Sequence, residues 1–269
     1  CYSGPNLTNP LASILTRFRE FLEAIGSDVT AMYLQVLIPM AQRDVLRFLW
    51  IDDDGNLIEL RMTRHIFGGI WCAASTTYAI RRAAQEAAAS LAVELAIRRD
   101  MYVDDLLHSV PPPEHAARFA LAVRNAVLPR HFSHTKFVGH PASTMALIPV
   151  EHRQAGDREI YTDVSTKTLG IRWLVGRDAF AYGKRLSMPP DPITKRDMLS
   201  LVASIYDPLG LIAPVIILGK LLLQKATALK IGWKEPVPDN IVKPWKAWWE
   251  MLDDLADLYF PRCLLGELY

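Results

Sequence analysis

Apolar and polar positions alternate in short blocks through the first two-thirds of the chain and shift to helical spacing in the last third. Residues 29–38 are rich in β-branched and aromatic side chains and are closed by Pro39, which predicts a strand or a strand plus turn. Residues 45–51 and 57–62 flank the acidic, glycine-containing loop 52–56 and predict a hairpin. Phe67-Gly68-Gly69 leads into an alanine-rich stretch from Cys72 to about Ala96 with no Gly or Pro, which predicts one long helix. Residues 101–107 are apolar at both ends and acidic in the middle, the pattern of a tight hairpin with carboxylates at its bend. Pro111, Pro112 and Pro113 then introduce residues 114–128, where Phe119, Val123 and Val127 recur at helical spacing. Residues 132–138 and 169–174 predict two further strands, separated by the mixed, loop-like stretch 139–165.

Beyond Pro189, Pro190 and Pro192 the pattern becomes helical. Thr194 followed by Asp197 predicts a capping-box start, and Asp207-Pro208-Leu209-Gly210 breaks that helix after Tyr206. A strongly apolar helix follows over 212–229, Pro236 and Pro238 mark a linker, and residues 241–258 form an amphipathic helix. Its Trp245, Trp248 and Trp249 fall at helical spacing, which favours core packing over base stacking. The expected class is therefore α+β: a body to about residue 188, then an all-helical extension.

Composition narrows the class without naming it. Of 269 residues, 51% are hydrophobic, enough for a real core and too many for a disordered chain. Three widely separated cysteines (Cys1, Cys72, Cys263) exclude a disulfide framework and a cysteine-based zinc site, and fit a reducing, intracellular compartment. The longest apolar run contains Pro214 and two glycines and falls short of a membrane span. No signal-peptide pattern opens the chain, and residue 1 is Cys1, so the N-terminus reads as a cut through a longer chain. The formal net charge of +1 hides an asymmetry: residues 164–234 carry 11 basic side chains against four acidic ones, between two acidic segments. A phosphate backbone lying along one face would suit that block, and so would an ordinary solvated surface.

Three carboxylates carry the candidate chemistry. Asp52-Asp53 and Asp253-Asp254 sit where solvation explains them, but Asp104-Asp105 is enclosed by Tyr102, Val103, Leu106 and Leu107. Two like charges between apolar neighbours are costly unless cations compensate them. With Asp28 as a third ligand, a pair of Mg²⁺ ions would do so, activating an attacking hydroxyl and neutralising a leaving pyrophosphate. His131, His134 and His140 have loose metal-like spacing but read better as surface or strand histidines.

Several motifs in one order resemble reverse transcriptases: Tyr102-Val103-Asp104-Asp105; Asp28 with Tyr33 five residues on; Phe67-Gly68 at the head of a helix; Lys136 in Thr-Lys-Phe-Val; and Leu169-Gly170-Ile-Arg-Trp173. Two stretches, Gly4-Pro5-Asn6-Leu7-Thr8-Asn9 and Tyr206-Asp207-Pro208-Leu209-Gly210 with its flanks, look like polyproteins of BEL/Pao-type LTR retrotransposons. Ala73 departs from the proline usual in the family, and no Asp-Ser-Gly or Asp-Thr-Gly triplet of an aspartic protease occurs.

The resemblance implies a right-hand polymerase palm, an antiparallel sheet backed by helices. Partial fingers and palm would occupy residues 1–188, a helical thumb 189–235, and the start of a connection segment 236–269, with RNase H lying beyond the chain. It implies an RNA-directed DNA polymerase joining dNTPs to a primer 3′-hydroxyl on an RNA or DNA template. Asp28, Asp104 and Asp105 would be the catalytic, metal-holding residues for two Mg²⁺ ions, with Mn²⁺ as a substitute. Tyr33, Gln35, Phe67, Gly68 and Lys136 would bind the nucleotide. Tyr102, Leu169, Gly170, Trp173, Lys195, Arg196, Lys220 and Lys225 would contact nucleic acid. RNase H and integrase would share the polyprotein, no membrane would be involved, and the location would be cytoplasmic virus-like particles or the nucleus. The alternative is a degenerate or co-opted fragment that folds and binds nucleic acid without catalysis.

Overall fold

A computed structural model describes residues 2–112, 114–154, 158–159, 171–182 and 191–265. They form two compact units, the first reaching Gln154 and the second with described residues from Arg158 to Leu265. The division precedes the Pro189–Pro192 linker because the described strands after Gln154 form a sheet of their own with a late strand near residue 260, not with the first sheet. Pro113, Pro189 and Pro190 themselves lie outside the described residues.

The first unit opens with α1 (Leu11–Phe18), whose Leu11, Ile14, Leu15 and Phe18 bury one helical stripe. Strand β1 is Glu23–Val29, earlier than the strand expected over 29–38. Polar Ser27 and Asp28 disguise it, although its centre is buried; Ala31 then turns the chain at φ 48° into a 3-10 turn, Met32–Gln35. The hairpin β2 (Arg47–Ile51) and β3 (Leu57–Arg61) forms as expected. The single long helix is instead two, α2 (Cys72–Glu86) and α3 (Leu91–Arg99). Ala88 adopts φ 49° between them, and Ser90 caps α3 by accepting the Val93 N–H.

Next come β4 (Met101–Tyr102), β5 (Asp105–Val110), α4 (Ala116–Val127) and β6 (His134–His140). The strands form one antiparallel sheet in the order β4-β5-β1-β6. Helices α2, α3 and α4 cover one face, where Ile80, Val93, Ile97, Phe119 and Val123 pack on Ile25, Val29, Leu106 and Val110.

In the second unit β7 (Arg158–Glu159), β8 (Ile171–Leu174), β9 (Ala179–Tyr182) and the late β10 (Phe260–Pro261) make a sheet of order β10-β9-β8-β7. Between β9 and β10 lie α5 (Lys195–Ala203), α6 (Ala213–Ala228) and α7 (Asp239–Asp254). The Thr194–Asp197 capping box is formed. Asp207 ends the break before α6 by accepting the Leu211 and Ile212 N–H groups at 2.9 and 3.0 Å and the Tyr182 hydroxyl at 2.5 Å. Trp245, Trp248 and Trp249 are buried, as their spacing predicts. Among the described residues no helix is long and apolar enough to cross a membrane.

Candidate active site

Strand pairing assembles the three carboxylates from segments about 75 residues apart in sequence. Asp28 near the end of β1 and Asp105 at the start of β5 are direct cross-strand partners, and such partners share a face of the sheet. Both are one residue out of phase with the core positions Ile25, Val29, Leu106 and Val110, so they occupy the face opposite the helical core. Asp104 lies in the two-residue turn between β4 and β5; the preceding Val103 adopts φ 53°, and the Asp104 carbonyl accepts the Val29 N–H at 2.9 Å. Tyr102 pairs with Asp105 across the hairpin.

Lys136 reaches the same edge through a β-bulge. The β1–β6 register passes from Gly26↔Val138 to Asp28↔Thr135, so Lys136 and Phe137 together face Ser27. Lys136 sits at φ 51° in that bulge, and its ammonium donates to Asp28 Oδ2 at 3.0 Å. Beneath the bulge, buried Ser27 Oγ bonds His134 Nδ1 at 2.8 Å, which makes His134 an internal strand residue.

Tyr33 and Phe67 close another side. Their rings meet edge to face with centroids 4.9 Å apart, Phe67 remaining largely exposed. Burial, then the nearby Asp104 carboxylate and the Cys72 thiol, raise the Tyr33 phenol above its ordinary value. Gln35 donates weakly to the carbonyls of Thr30 and Ala31, so its amide braces the turn that presents Tyr33. Gly68 takes φ 86°, a conformation that favours glycine, while a Cβ on Gly69 would stand 2.6 Å from Cys72 Sγ. Buried His65, its pKa lowered by that burial, bonds Cys72 through Nδ1 at 3.3 Å and underpins this loop.

Donor chemistry and placement on one sheet edge suit Mg²⁺, which takes hard oxygen ligands and usually needs only one or two carboxylates beside substrate phosphates and water. The side chains do not form a closed cage: among the described residues no group of three His, Cys, Asp or Glu is disposed to hold a metal ion.

Two expected nucleic-acid contacts are corrected in the second unit. Trp173 is fully buried and donates its indole N–H to Asp178, whose carboxylate also takes a two-pronged ion pair from wholly buried Arg262. Lys195 is only 5% exposed and its ammonium lies over the Trp233 ring, 5.3 Å from the centroid. Each is used internally because it falls on the inner face of its element, which neither the motif around Trp173 nor the basic charge around Lys195 reveals. Arg196, Lys220 and Lys225 are exposed, while Leu169 and Gly170 lie outside the described residues.

Sequence reasoning missed a further polar group, Arg17, Asp100 and His108, joined at 2.6 and 2.8 Å at the base of the β4–β5 hairpin. The one visible signal was an acidic residue, Asp100, at the junction of a helix and a strand, directly after the basic pair Arg98-Arg99.

Residues 194–268 match a family model described as a Pao retrotransposon-like RNaseH-like domain. The stretch expected to be thumb and connection is thus matched as one piece, under an RNase H-like description, whereas RNase H was expected to lie beyond the chain. No curated protein sequence matches. Among solved structures, a foamy viral protease-reverse transcriptase in complex with double-stranded DNA aligns with a TM-score of 0.55 at 14% identity, over 93% of this chain and 38% of that one. The foamy viral protease-reverse transcriptase in complex with an RNA/DNA hybrid aligns with a TM-score of 0.51 at 14% identity, over 94% of this chain and 30% of that one. The chain therefore spans well under half the length of these proteins. Its mixed α/β fold is similar to that of a retroviral pol protein, and its C-terminal part resembles a retrotransposon family.

Proposed function

We propose that the chain is the polymerase part of a retroelement reverse transcriptase, with partial fingers and palm in the first unit. The observation that carries this is the register that makes Asp28 and Asp105 direct partners on one face, with Asp104 in the adjoining turn. Asp28, Asp104 and Asp105 would hold two Mg²⁺ ions, which supply charge neutralisation at the phosphate and activation of the primer hydroxyl. The residues of the chain provide the rest. The bulge presents the Lys136 ammonium to the same anionic edge, where it can neutralise phosphate charge. Tyr33, stiffened by Phe67, offers a rigid ring against the sugar of a dNTP. Exposed Arg196, Lys220 and Lys225 would meet the phosphates of template and primer; of the acidic residues in that region, Asp197 completes the α5 capping box and Asp207 ties the turn ahead of α6.

Primer extension with Mg²⁺ on the intact protein tests the proposal. Incorporation should fall by roughly 100-fold or more in Asp28→Asn and Asp105→Asn, the several kcal/mol that a metal ion contributes. A second reading, nucleic-acid binding without catalysis, is favoured by the lack of a three-ligand group among the described residues. Duplex binding with no incorporation by the unaltered protein would establish it instead.

A further inference from the structure

The β4–β5 hairpin is gripped at its neck by a polar clamp. Asp100, between α3 and β4, is 6% exposed, and its carboxylate is shared: Oδ1 takes the Arg17 Nε–H at 2.6 Å and Oδ2 bonds His108 Nδ1 at 2.8 Å. Asp100 and His108 stand on opposite legs of the hairpin, and the Asp100 carbonyl also accepts the Leu107 N–H at 3.1 Å. The His108 ring lies flat on Phe119 of α4, 4.5 Å between centroids and 18° from parallel. From α1 the Arg17 guanidinium also donates to the Arg99 carbonyl, and the Arg17 carbonyl accepts the Ser109 hydroxyl at 2.8 Å. Just ahead of α1, Asn9 Nδ2 donates to the carbonyls of Arg98 and Met101, both at 2.9 Å. Seven bonds thus converge on residues 98–101 and 107–109, around a turn that carries Asp104 and Asp105.

Burying such charges is an expensive way to gain stability, since apolar groups of similar volume commonly do as well or better. What a buried carboxylate shared between two partners supplies is a fixed geometry. We propose that Asn9, Arg17, Asp100 and His108 are positioning residues that hold the Tyr102–Asp105 hairpin in register with Asp28. Their catalytic consequence rests on the polymerase reading; the mechanical one does not. Alanine at any of the four would remove part of this set and leave the hairpin more dependent on its main-chain bonds. The turn would then slide relative to β1, and the bond from the Val29 N–H to the Asp104 carbonyl would open first.

Amide hydrogen exchange on the full protein reads the mechanical step without any activity. His108→Phe keeps the ring on Phe119 and deletes the bond to Asp100. It should speed exchange at the Leu107 and Val29 amides about tenfold, the size of one hydrogen bond to a charged group, while α4 amides stay unchanged. His108→Asn, whose amide can donate in place of Nδ1–H, should return both amides to within about twofold, and Asp100→Asn should behave like His108→Phe. Unchanged exchange in His108→Phe and Asp100→Asn, or equal acceleration throughout α4, overturns the proposal. In primer extension the same variants should lower kcat with little change in the KM for dNTP, again with rescue by His108→Asn. An unaltered protein that extends no primer defeats the polymerase reading, while the exchange result still decides the clamp.

Discussion

The Lys136 ammonium lies 3.0 Å from Asp28 Oδ2, placed there by an extra residue in β6 that turns the lysine toward the end of β1. A cation of the chain's own therefore occupies part of the field that would draw a divalent ion to Asp28. Lys136 is 61% exposed and Asp28 23%, so solvent screens the pair and its strength belongs to the range of surface ion pairs, about 0.2–1 kcal/mol.

Lys136→Gln removes that competitor. Mn²⁺ affinity, followed by the spin resonance of the free ion, should tighten by about two- to fivefold, the equilibrium equivalent of such a pair. Weaker binding in Lys136→Gln would show that the lysine assists the ion instead of competing with it.

Tyr33 supplies a second test. Its ring, held edge-on by Phe67 and close enough to Asp104 to feel that charge, suits a steric filter for the 2′ position of a sugar. Tyr33→Val should admit ribonucleotides, raising rNTP incorporation relative to dNTP by on the order of tenfold, with Mn²⁺ affinity unaltered. If discrimination stays the same, the ring is only part of the packing under the Phe67 loop.

Much of this was legible in the sequence. The 101–107 hairpin, the Thr194 capping box and the tryptophan stripe of α7 follow from local pattern, because turn chemistry, capping and helical periodicity act over a few residues. The Asp28–Asp105 pairing was anticipated through motif order, since strand register depends on contacts between distant segments. β1 was displaced in the sequence reading because a strand buried at its centre can carry Ser27 and Asp28 when a partner histidine and a lysine answer them. The α2–α3 break was hidden in Ala87-Ala88-Ala89, where only Ser90 hints at a new start. Trp173, assigned through its motif, and Lys195, assigned through its basic segment, turn inward because neither a motif nor charge composition says which face of an element points inward.

Asp207 ties the Tyr-Asp-Pro-Leu-Gly stretch to β9. It accepts the Tyr182 hydroxyl and the Leu211 and Ile212 N–H groups just ahead of α6, so Asp207→Ala leaves a buried phenol and two main-chain N–H groups unanswered. The expected cost is about 2–4 kcal/mol, read by denaturant unfolding. Burial first, then the bond to Asp207 and its charge, push the Tyr182 phenol well above its ordinary value near 10. A group whose folded pKa is raised contributes stability fully present below its unfolded pKa and lost as pH rises toward the folded value. The melting temperature should therefore fall from about pH 10 upward, and less steeply in Tyr182→Phe, which has no proton to lose there. Parallel curves for the two proteins would remove Tyr182 from the alkaline transition.

Gly219, in the middle of α6, decides between two opposed effects. Alanine is the better helix former by about 1 kcal/mol, so on propensity alone Gly219→Ala should stabilise. The added Cβ would however stand 2.4, 2.6 and 2.7 Å from three ring atoms of Trp248 on α7. That ring cannot retreat freely: it is buried between Trp245 and Trp249, and its indole N–H donates to the Val215 carbonyl at 2.8 Å, one turn back on α6. Overpacking costs about 1–3 kcal/mol and the displaced hydrogen bond about 1 kcal/mol more, which together outweigh the propensity gain. Gly219→Ala should thus lower stability by about 1–3 kcal/mol in denaturant titration. Because the clash needs the indole, the cycle with Trp248→Leu should be strongly non-additive, the alanine becoming neutral or stabilising once the large ring is gone. A stabilised Gly219→Ala single variant would mean that α6 and α7 do not pack this closely in solution.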